Sequence, residues 1–287
     1  MLFTKSNIET ELSRKCLCVL AILLILFLPG CSVDIDGSEW HLGTTVRGNF
    51  DYDYTAGRTV TDEVAVHGHT RITVAAMNGE VCVEGRSDTR RVMITANLSV
   101  GSSSQTDADL HLEDLEMRVS EDGHEILIET IQPEWSYGRG YRVEYDIIIP
   151  EGLEVMATQD NGRISVYDLK NNVEVTNVNG DIQLLNIVGN VRAQLVNGTI
   201  ETEVIMNENG VLDIETVNGR IELSIPTITS ANFMARVDNA GTVFVHNLVF
   251  TDSSSTSKSY EGTLGNGDGF ISLRTHNGDI DVFGVEL

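Results

Sequence analysis

Apolar and polar residues alternate along this chain in a unit that recurs around the dipeptide Asn-Gly: Asn78-Gly79, Asn161-Gly162, Asn179-Gly180, Asn197-Gly198, Asn218-Gly219 and Asn277-Gly278. Six and four residues before each Asn stand small or branched apolar residues, such as Val173 and Val175 before Asn179 or Leu212 and Ile214 before Asn218. Three and five residues after it the pattern resumes, as in Ile182 and Leu184 or Ile221 and Leu223. A seventh copy, Asn239-Ala240-Gly241, keeps Phe233 and Ala235 before it and Val243 and Val245 after it, shifted by one. Each unit is therefore two period-2 strands bent at Asn-Gly, burying alternate side chains.

Asn-Gly between alternating strands is also the strongest short-range hairpin signal. The spacing favours a different architecture. Successive middle copies lie 18, 18, 21 and 21 residues apart, and a fixed period near 20 marks a solenoid whose coils pair with their neighbours. The expected fold is all-β, a parallel β-solenoid of about 18–21 residues per coil. Glycine supplies a corner of positive φ. Asn161, Asn179, Asn197, Asn218 and Asn277, one strand spacing apart, would hydrogen-bond as a ladder beside Gly162, Gly180, Gly198, Gly219 and Gly278.

The rest of the chain divides by composition. Residues 50–152 read as β-rich but irregular, with one Asn-Gly arch at Asn78, a Ser-rich turn over Gly101–Thr106 and a strand ending at Pro150-Glu151-Gly152. Residues 153–250 carry the regular coils. The Ser- and Gly-rich stretch 251–269 is expected to be a mobile insertion before the last arch at 270–287. Residues 50–287 thus form a single elongated domain.

The first thirty residues set the compartment. Lys5, Arg14 and Lys15 precede an apolar run from Leu17 to Leu28, about a dozen residues and too short to cross ~30 Å of hydrocarbon. The closing Leu28-Pro29-Gly30-Cys31 resembles the lipobox of bacterial lipoproteins, which implies a signal peptide over 1–30 and a diacylglycerol on the Cys31 thiol. Ser32 stands where an inner-membrane retention Asp would sit, so the resemblance points to the outer membrane in a cell that has one. Residues 31–49 are polar and read as a tether.

Charge then narrows the partners. The chain has 43 acidic and 19 basic residues, a net of −24. Such a surface repels nucleic acid and anionic head groups, so the lipid must make the membrane contact. With Cys16 and Cys18 in the leader and Cys31 lipidated, Cys82 is left alone and no disulfide framework is expected.

Few residues invite chemistry. His67 and His69 are spaced to share one face of a strand, but no third ligand stands at metal-site spacing, and no cofactor or metal is expected. Glu80, Asp181 and Asp279 follow their glycines; Arg163, Thr199 and Arg220 occupy the same place elsewhere, giving a row of mixed charge. Trp135, Tyr137 and Tyr141 form an aromatic loop suited either to stacking on a sugar or to plugging the end of the core. A polysaccharide-cleaving solenoid would need paired carboxylates on consecutive coils, and none is singled out by position.

The Pro150-Glu151-Gly152 strand end, the repeated Asn-Gly-x-Ile arches, the Ser/Gly-rich loop and the closing Thr275-His276-Asn277-Gly278-Asp279-Ile280 together resemble the "putative adhesin" domain family of bacterial envelope proteins. The likeness spans roughly residues 50–285. It implies a lipid-anchored envelope module that binds an unknown protein or glycan partner without catalysis. The alternatives are an envelope-stress or signalling accessory on a partner membrane protein, and a polysaccharide-active enzyme.

Overall fold

The computed structural model describes residues 52–286. The leader over 1–30, Cys31 and the tether over 31–49 lie outside the described residues. In chain order the elements begin with β1 (Tyr54–Ala65), β2 (Arg71–Ala75), β3 (Asn78–Arg86) and β4 (Arg91–Ser102), then the short helix α1 (Gln105–His111). Next come β5 (Glu116–Asp122), β6 (Glu125–Ile131), β7 (Gly140–Pro150) and the long β8 (Glu154–Leu169). The repeats supply β9 (Val173–Asn179), β10 (Ile182–Val188), β11 (Val191–Asn197), β12 (Ile200–Ile205), β13 (Val211–Asn218) and β14 (Ile221–Pro226). The chain closes with β15 (Ala231–Ala240), β16 (Val243–His246), β17 (Phe250–Thr256), β18 (Ser259–Leu264), β19 (Gly269–Asn277) and β20 (Ile280–Val285).

These strands form a β-solenoid with two parallel faces. One face runs β6, β2, β8, β9, β11, β13, β19, β15. The other runs β7, β3, β8, β10, β12, β14, β20, β16. β8 serves both because it turns the corner at Asn161 without losing its ladder: Val155 pairs with Val173 before the turn, and Ile164 with Ile182 after it. Alternation does the rest. Val173, Val175, Ile182, Leu184, Val191, Ala193, Leu212, Ile214, Ile221 and Leu223 point inward and are buried, sharing one apolar core with the residues before and after them.

Spatial order departs from chain order at both ends. β2 and β3 lie between the β6/β7 coil and β8. Symmetrically, β19 and β20 lie between the β13/β14 coil and the β15/β16 coil. Antiparallel strands then cover the stack: β4 on β7 with β1 outside it, β5 on β6, and β18 on β15 with β17 outside it. Aromatic rings fill the ends of the core. Tyr145 is buried on β7 with its hydroxyl 2.8 Å from Thr130 Oγ1, and burial pushes its ionisation up to about 12. At the far end Phe233, Phe250 and Tyr260 pack with ring centroids 4.8–6.1 Å apart.

Three expectations are corrected. The stretch 251–269, expected as a mobile insertion, forms the β17–β18 hairpin, and β18 pairs along β15 from Ala231 to Arg236. The Ser-rich turn leads into a helix, because the Ser104 side chain accepts a hydrogen bond from the Asp107 amide at 3.2 Å and caps the first turn of α1. His67 and His69 lie in the bend between β1 and β2, not on a strand; Gly68 between them has φ of 79°.

Candidate functional site

The corner that recurs in the sequence is where the structure concentrates its polar side chains. Each Asn amide donates to the Oδ1 of the Asn in the neighbouring coil: Asn161 to Asn78 at 2.8 Å, Asn179 to Asn161 at 3.0 Å, Asn197 to Asn179 at 2.9 Å and Asn218 to Asn197 at 3.0 Å. Asn277 continues to Asn218 and Asn239 to Asn277, both at 2.8 Å. The free donor at the other end, Asn78 Nδ2, reaches the Tyr141 carbonyl at 3.2 Å. One side-chain ladder thus runs through every coil from β3 to β15.

The glycines make this spacing possible. A Cβ on Gly180 would lie 2.0 Å from the Gly162 carbonyl oxygen, and one on Gly198 would lie 1.9 Å from that of Gly180. Gly162 and Gly219 are tighter still, at 1.6 Å. Gly162, Gly180, Gly198 and Gly278 also hold φ between 127° and 140°, a region closed to most L side chains. Close approach of the next coil, as much as backbone angle, requires glycine here. Just inside the corner, Gln159 and Asn177 donate at 2.7 Å to the carbonyls of Gly79 and Gly162, and Thr275 donates at 3.0 Å to that of Gly219.

A second ladder on the opposite corner was not anticipated. Asn190 Nδ2 donates to Asn172 Oδ1 at 3.0 Å, and Asn190 Oδ1 accepts from the Val211 amide at 2.7 Å. Its signal is present in the sequence, since Asn172 and Asn190 lie 18 residues apart, each just before a Val that begins a strand. Outside the glycines, the mixed-charge row is engaged across coils. Arg163 lies 3.6 Å from Asp181, whose Oδ1 accepts from the Thr199 amide at 3.0 Å; Asp279 Oδ1 accepts from the Thr242 amide at 2.9 Å; Arg220 pairs with Asp281 at 2.8 Å.

The aromatic loop is divided. Tyr141 is buried, 4% exposed, at the end of the core, where burial raises its ionisation and its ring offers no face to a ligand. Trp135 and Tyr137 remain on the surface, 46% and 82% exposed. Between them and the core, Arg139 clamps Asp107 with two hydrogen bonds of 2.7 and 2.8 Å and so fastens the loop to α1. These bonds, with a further one from Ser102, hold the Asp107 carboxyl below the usual range. A further aromatic surface lies on β16 and β20, where His246 stacks on Phe283 at 5.0 Å and Phe244 lies 6.5 Å from His246.

The remaining candidates stay apart. His69 Nε2 pairs with Glu121 at 3.1 Å and its Nδ1 accepts from the His67 amide at 3.3 Å. Among the described residues no group of three or more His, Cys, Asp or Glu side chains is placed to hold a metal. Cys82 is half-buried on β3, and burial first, then Asp146, Glu80 and Glu84, pushes its thiol up, away from the reactive thiolate. Two open depressions of about 300 and 470 Å³ lie beside Glu63, His67 and Glu121 and beside Arg86, Glu151 and Lys170.

A family model described as Toastrack DUF4097 matches residues 60–283. No curated protein matches the chain. Among solved structures, the chain is similar to a "putative cell adhesion protein" from Clostridium sporogenes, at 12% identity and a TM-score of 0.43, covering 80% of this chain and 100% of that one. It is also similar to a "putative adhesin" from Bacteroides fragilis, at 8% identity and a TM-score of 0.31, covering 79% and 97% of the two chains. A "putative adhesin" from Parabacteroides distasonis matches at 12% identity and a TM-score of 0.24, over 82% and 100%.

Proposed function

The chain belongs to the Toastrack DUF4097 family, and from that premise we propose that it is a non-catalytic binding or structural module of a bacterial cell envelope. Lipid on Cys31 holds it at the membrane, and the β-solenoid stands outside the cytoplasm, its exterior open to a protein or glycan partner. One observation carries this reading: the recurring polar side chains of the Asn corner and of the row beside it bond to the next coil instead of converging on a point where a substrate atom could sit. Catalysis requires convergence of reacting groups at hydrogen-bond distance. A stacked ladder distributes them along a line and turns them into struts.

The charge supports the anchor. At −24, the chain gains nothing electrostatically from an anionic membrane surface, whereas acyl chains add about 0.8 kcal/mol for each buried CH₂. Trp135 and Tyr137, rigid and exposed at one end, are the contact residues this reading favours.

Metabolic labelling of the full chain with a palmitate analogue tests the anchor. The label and the membrane fraction are both lost in Cys31→Ala; label that persists on the variant refutes lipid at Cys31. Capture of envelope proteins and glycans on the full chain in detergent, with Trp135→Ala/Tyr137→Ala as control, tests the partner. Material retained equally by both proteins removes the aromatic loop from the reading.

A further inference from the structure

Asn-Gly is the dipeptide most prone to spontaneous deamidation, because glycine has no Cβ to keep its amide nitrogen from the preceding side chain. The Gly nitrogen attacks the Asn Cγ and forms a new N–C bond. The side-chain nitrogen leaves as ammonia, taking up the proton that the Gly amide gives up, and a cyclic imide remains. Water then opens the ring at one of its two carbonyls, yielding aspartate or isoaspartate. The reaction needs a rotatable Asn side chain and an unengaged Gly amide.

The ladder withholds both. The Asn179 amide is held by Asn161 Oδ1 at 3.0 Å while its own Oδ1 accepts from Asn197 at 2.9 Å. The following glycine is engaged as well, with Gly180 N donating to the Asn197 carbonyl at 2.9 Å. Gly198, Gly219 and Gly278 donate in the same way to the next coil, at 3.0, 2.8 and 2.7 Å. The last rung differs. Asn239 is exposed, nothing among the described residues donates to its Oδ1, and the residue that follows it is Ala240. The five rungs with an Asn on both sides carry Asn-Gly, as does Asn78, whose amide is held by the Tyr141 carbonyl and whose Oδ1 accepts from Asn161; the open rung carries Asn-Ala, whose methyl group obstructs the attack.

We propose that the ladder is a chemical guard over six modification sites. It holds the Asn-Gly pairs unreactive while the coils are stacked and lets them convert when coils part. Conversion runs one way. Aspartate replaces the Nδ2 donor with an oxygen facing the neighbour's Oδ1, and isoaspartate adds a backbone atom at a corner with no room for a Cβ. A molecule that has opened is thereby prevented from restacking and marked with added negative charge.

The test is a site-by-site deamidation rate for the full chain in mildly alkaline buffer, native and in urea, read by peptide mass mapping. Each of the six ladder pairs is expected to react at least about 100-fold more slowly in the native protein, as the population of open coils dictates; Asn209-Gly210 and Asn266-Gly267 lie outside the ladder and are not covered by this expectation. Ala240→Gly places an Asn-Gly pair at the open rung, where one side-chain hydrogen bond holds the Asn instead of two, and there the native rate is expected to be at least about tenfold faster than at the six ladder pairs. Native rates at the six pairs within tenfold of those in urea overturn the proposal. So does an open rung in Ala240→Gly as slow as the other six. Should Ala240→Gly fail to fold, the six rates of the unaltered chain decide alone.

Discussion

The Asn277 side chain donates to Asn218 Oδ1 at 2.8 Å across 59 residues of sequence, while Asn239, nearer to Asn218 in the chain, is held off by one coil and bonds to Asn277 instead. The C-terminal coil is therefore an interior one. β19 takes β13 on one side and β15 on the other, and the register Asn218 to Asn277 continues the frame set by Asn197 to Asn218. The first arch mirrors it, since β3 lies between β7 and β8. A stack closed in this way cannot be completed coil by coil as the chain emerges. Its two ends wait for segments brought in from a distance, at the cost of loop-closure entropy.

Removal of residues 269–287 is the direct consequence to test. It deletes the buried side chains of Ile271, Leu273, Ile280 and Val282 and leaves β15 and β16 without a neighbour on the ladder side. At about 1.5–3 kcal/mol for each, burial of these four contributes roughly 6–12 kcal/mol, as much as a whole domain's net stability. The shortened chain is expected to lose its cooperative thermal transition. A transition retained within a few degrees of the full chain's would show that β19 and β20 are an accessory to the stack.

The ladder's own contribution is accessible by comparing a middle rung with the last one. Asn179→Ala removes two side-chain hydrogen bonds, to Asn161 and from Asn197, and Asn239→Ala removes one. With each bond worth about 0.5–1.5 kcal/mol net, and more where a partly buried group is left unpaired, the middle variant should lose about 1–3 kcal/mol and the end variant about half that. Denaturant midpoints at unchanged m-value measure both. Equal losses would mean that the amides act singly and not as a ladder.

How far such features can be read before folding depends on whether a residue's role is local. The inward rows follow from the Asn-Gly frame alone, since Val173, Val175, Ile182 and Leu184 are each fixed by distance from the corner and are all 2% exposed or less. The order of coils is another matter. Asn277 and Asn239 sit in nearly the same frame, so nothing local distinguishes which of them meets Asn218; β18, pairing along β15, helps settle it. The β17–β18 hairpin escaped the pattern because only Phe250, Tyr260 and Leu264 reach the core: β17 is exposed at every residue after Phe250, and polar residues on both faces show no alternation. Likewise Tyr141, part of one aromatic cluster with Trp135 and Tyr137 in sequence, is separated from them by the first residues of β7, which carry it into the core.

Glycine at the corner is tested by the volume it denies. Gly180→Val places a Cβ 2.0 Å from the Gly162 carbonyl at φ of 128°, so two coils must separate and the backbone must strain. A loss of about 3 kcal/mol or more is expected. Gly123→Ala is the control: φ is 63°, also left-handed, but nothing lies within 4 Å of the added methyl group. Strain alone should cost about 1–2 kcal/mol there. Similar melting temperatures for the two variants would assign the requirement to φ and not to coil contact.

Acid should weaken the clamp between Arg139 and α1. Hydrogen bonds from Arg139 and then Ser102 hold the Asp107 carboxyl below its ordinary value, so the unfolded chain takes up this proton at higher pH than the folded one. The stability it confers is present above about pH 4, where unfolded Asp ionises, and is lost as pH falls below that. Asp107→Asn gives up the charge at every pH. Between about pH 6 and pH 3 the melting temperature of the unaltered protein should therefore fall more steeply than that of Asp107→Asn. Parallel profiles would show that the Arg139 clamp adds nothing to stability.

Alkali acts through Tyr145. Its phenol is buried against the first coils, and burial carries its ionisation up to about 12, opposed by the hydrogen bond with Thr130. Unfolded, the same group ionises near about 10. Its contribution is thus complete below about pH 10 and is lost between there and about 12, at up to about 1.4 kcal/mol per pH unit. Tyr145→Phe keeps the ring in the core but leaves the Thr130 hydroxyl, 8% exposed, without the phenol it pairs with, at a cost of about 1 kcal/mol. The variant should be the less stable protein at neutral pH and should approach, then overtake, the unaltered chain as pH rises past about 10. Urea midpoints taken at neutral pH and on either side of that value decide the matter, and a constant gap across them would mean that the phenol ionises as readily in the folded protein as in the open chain.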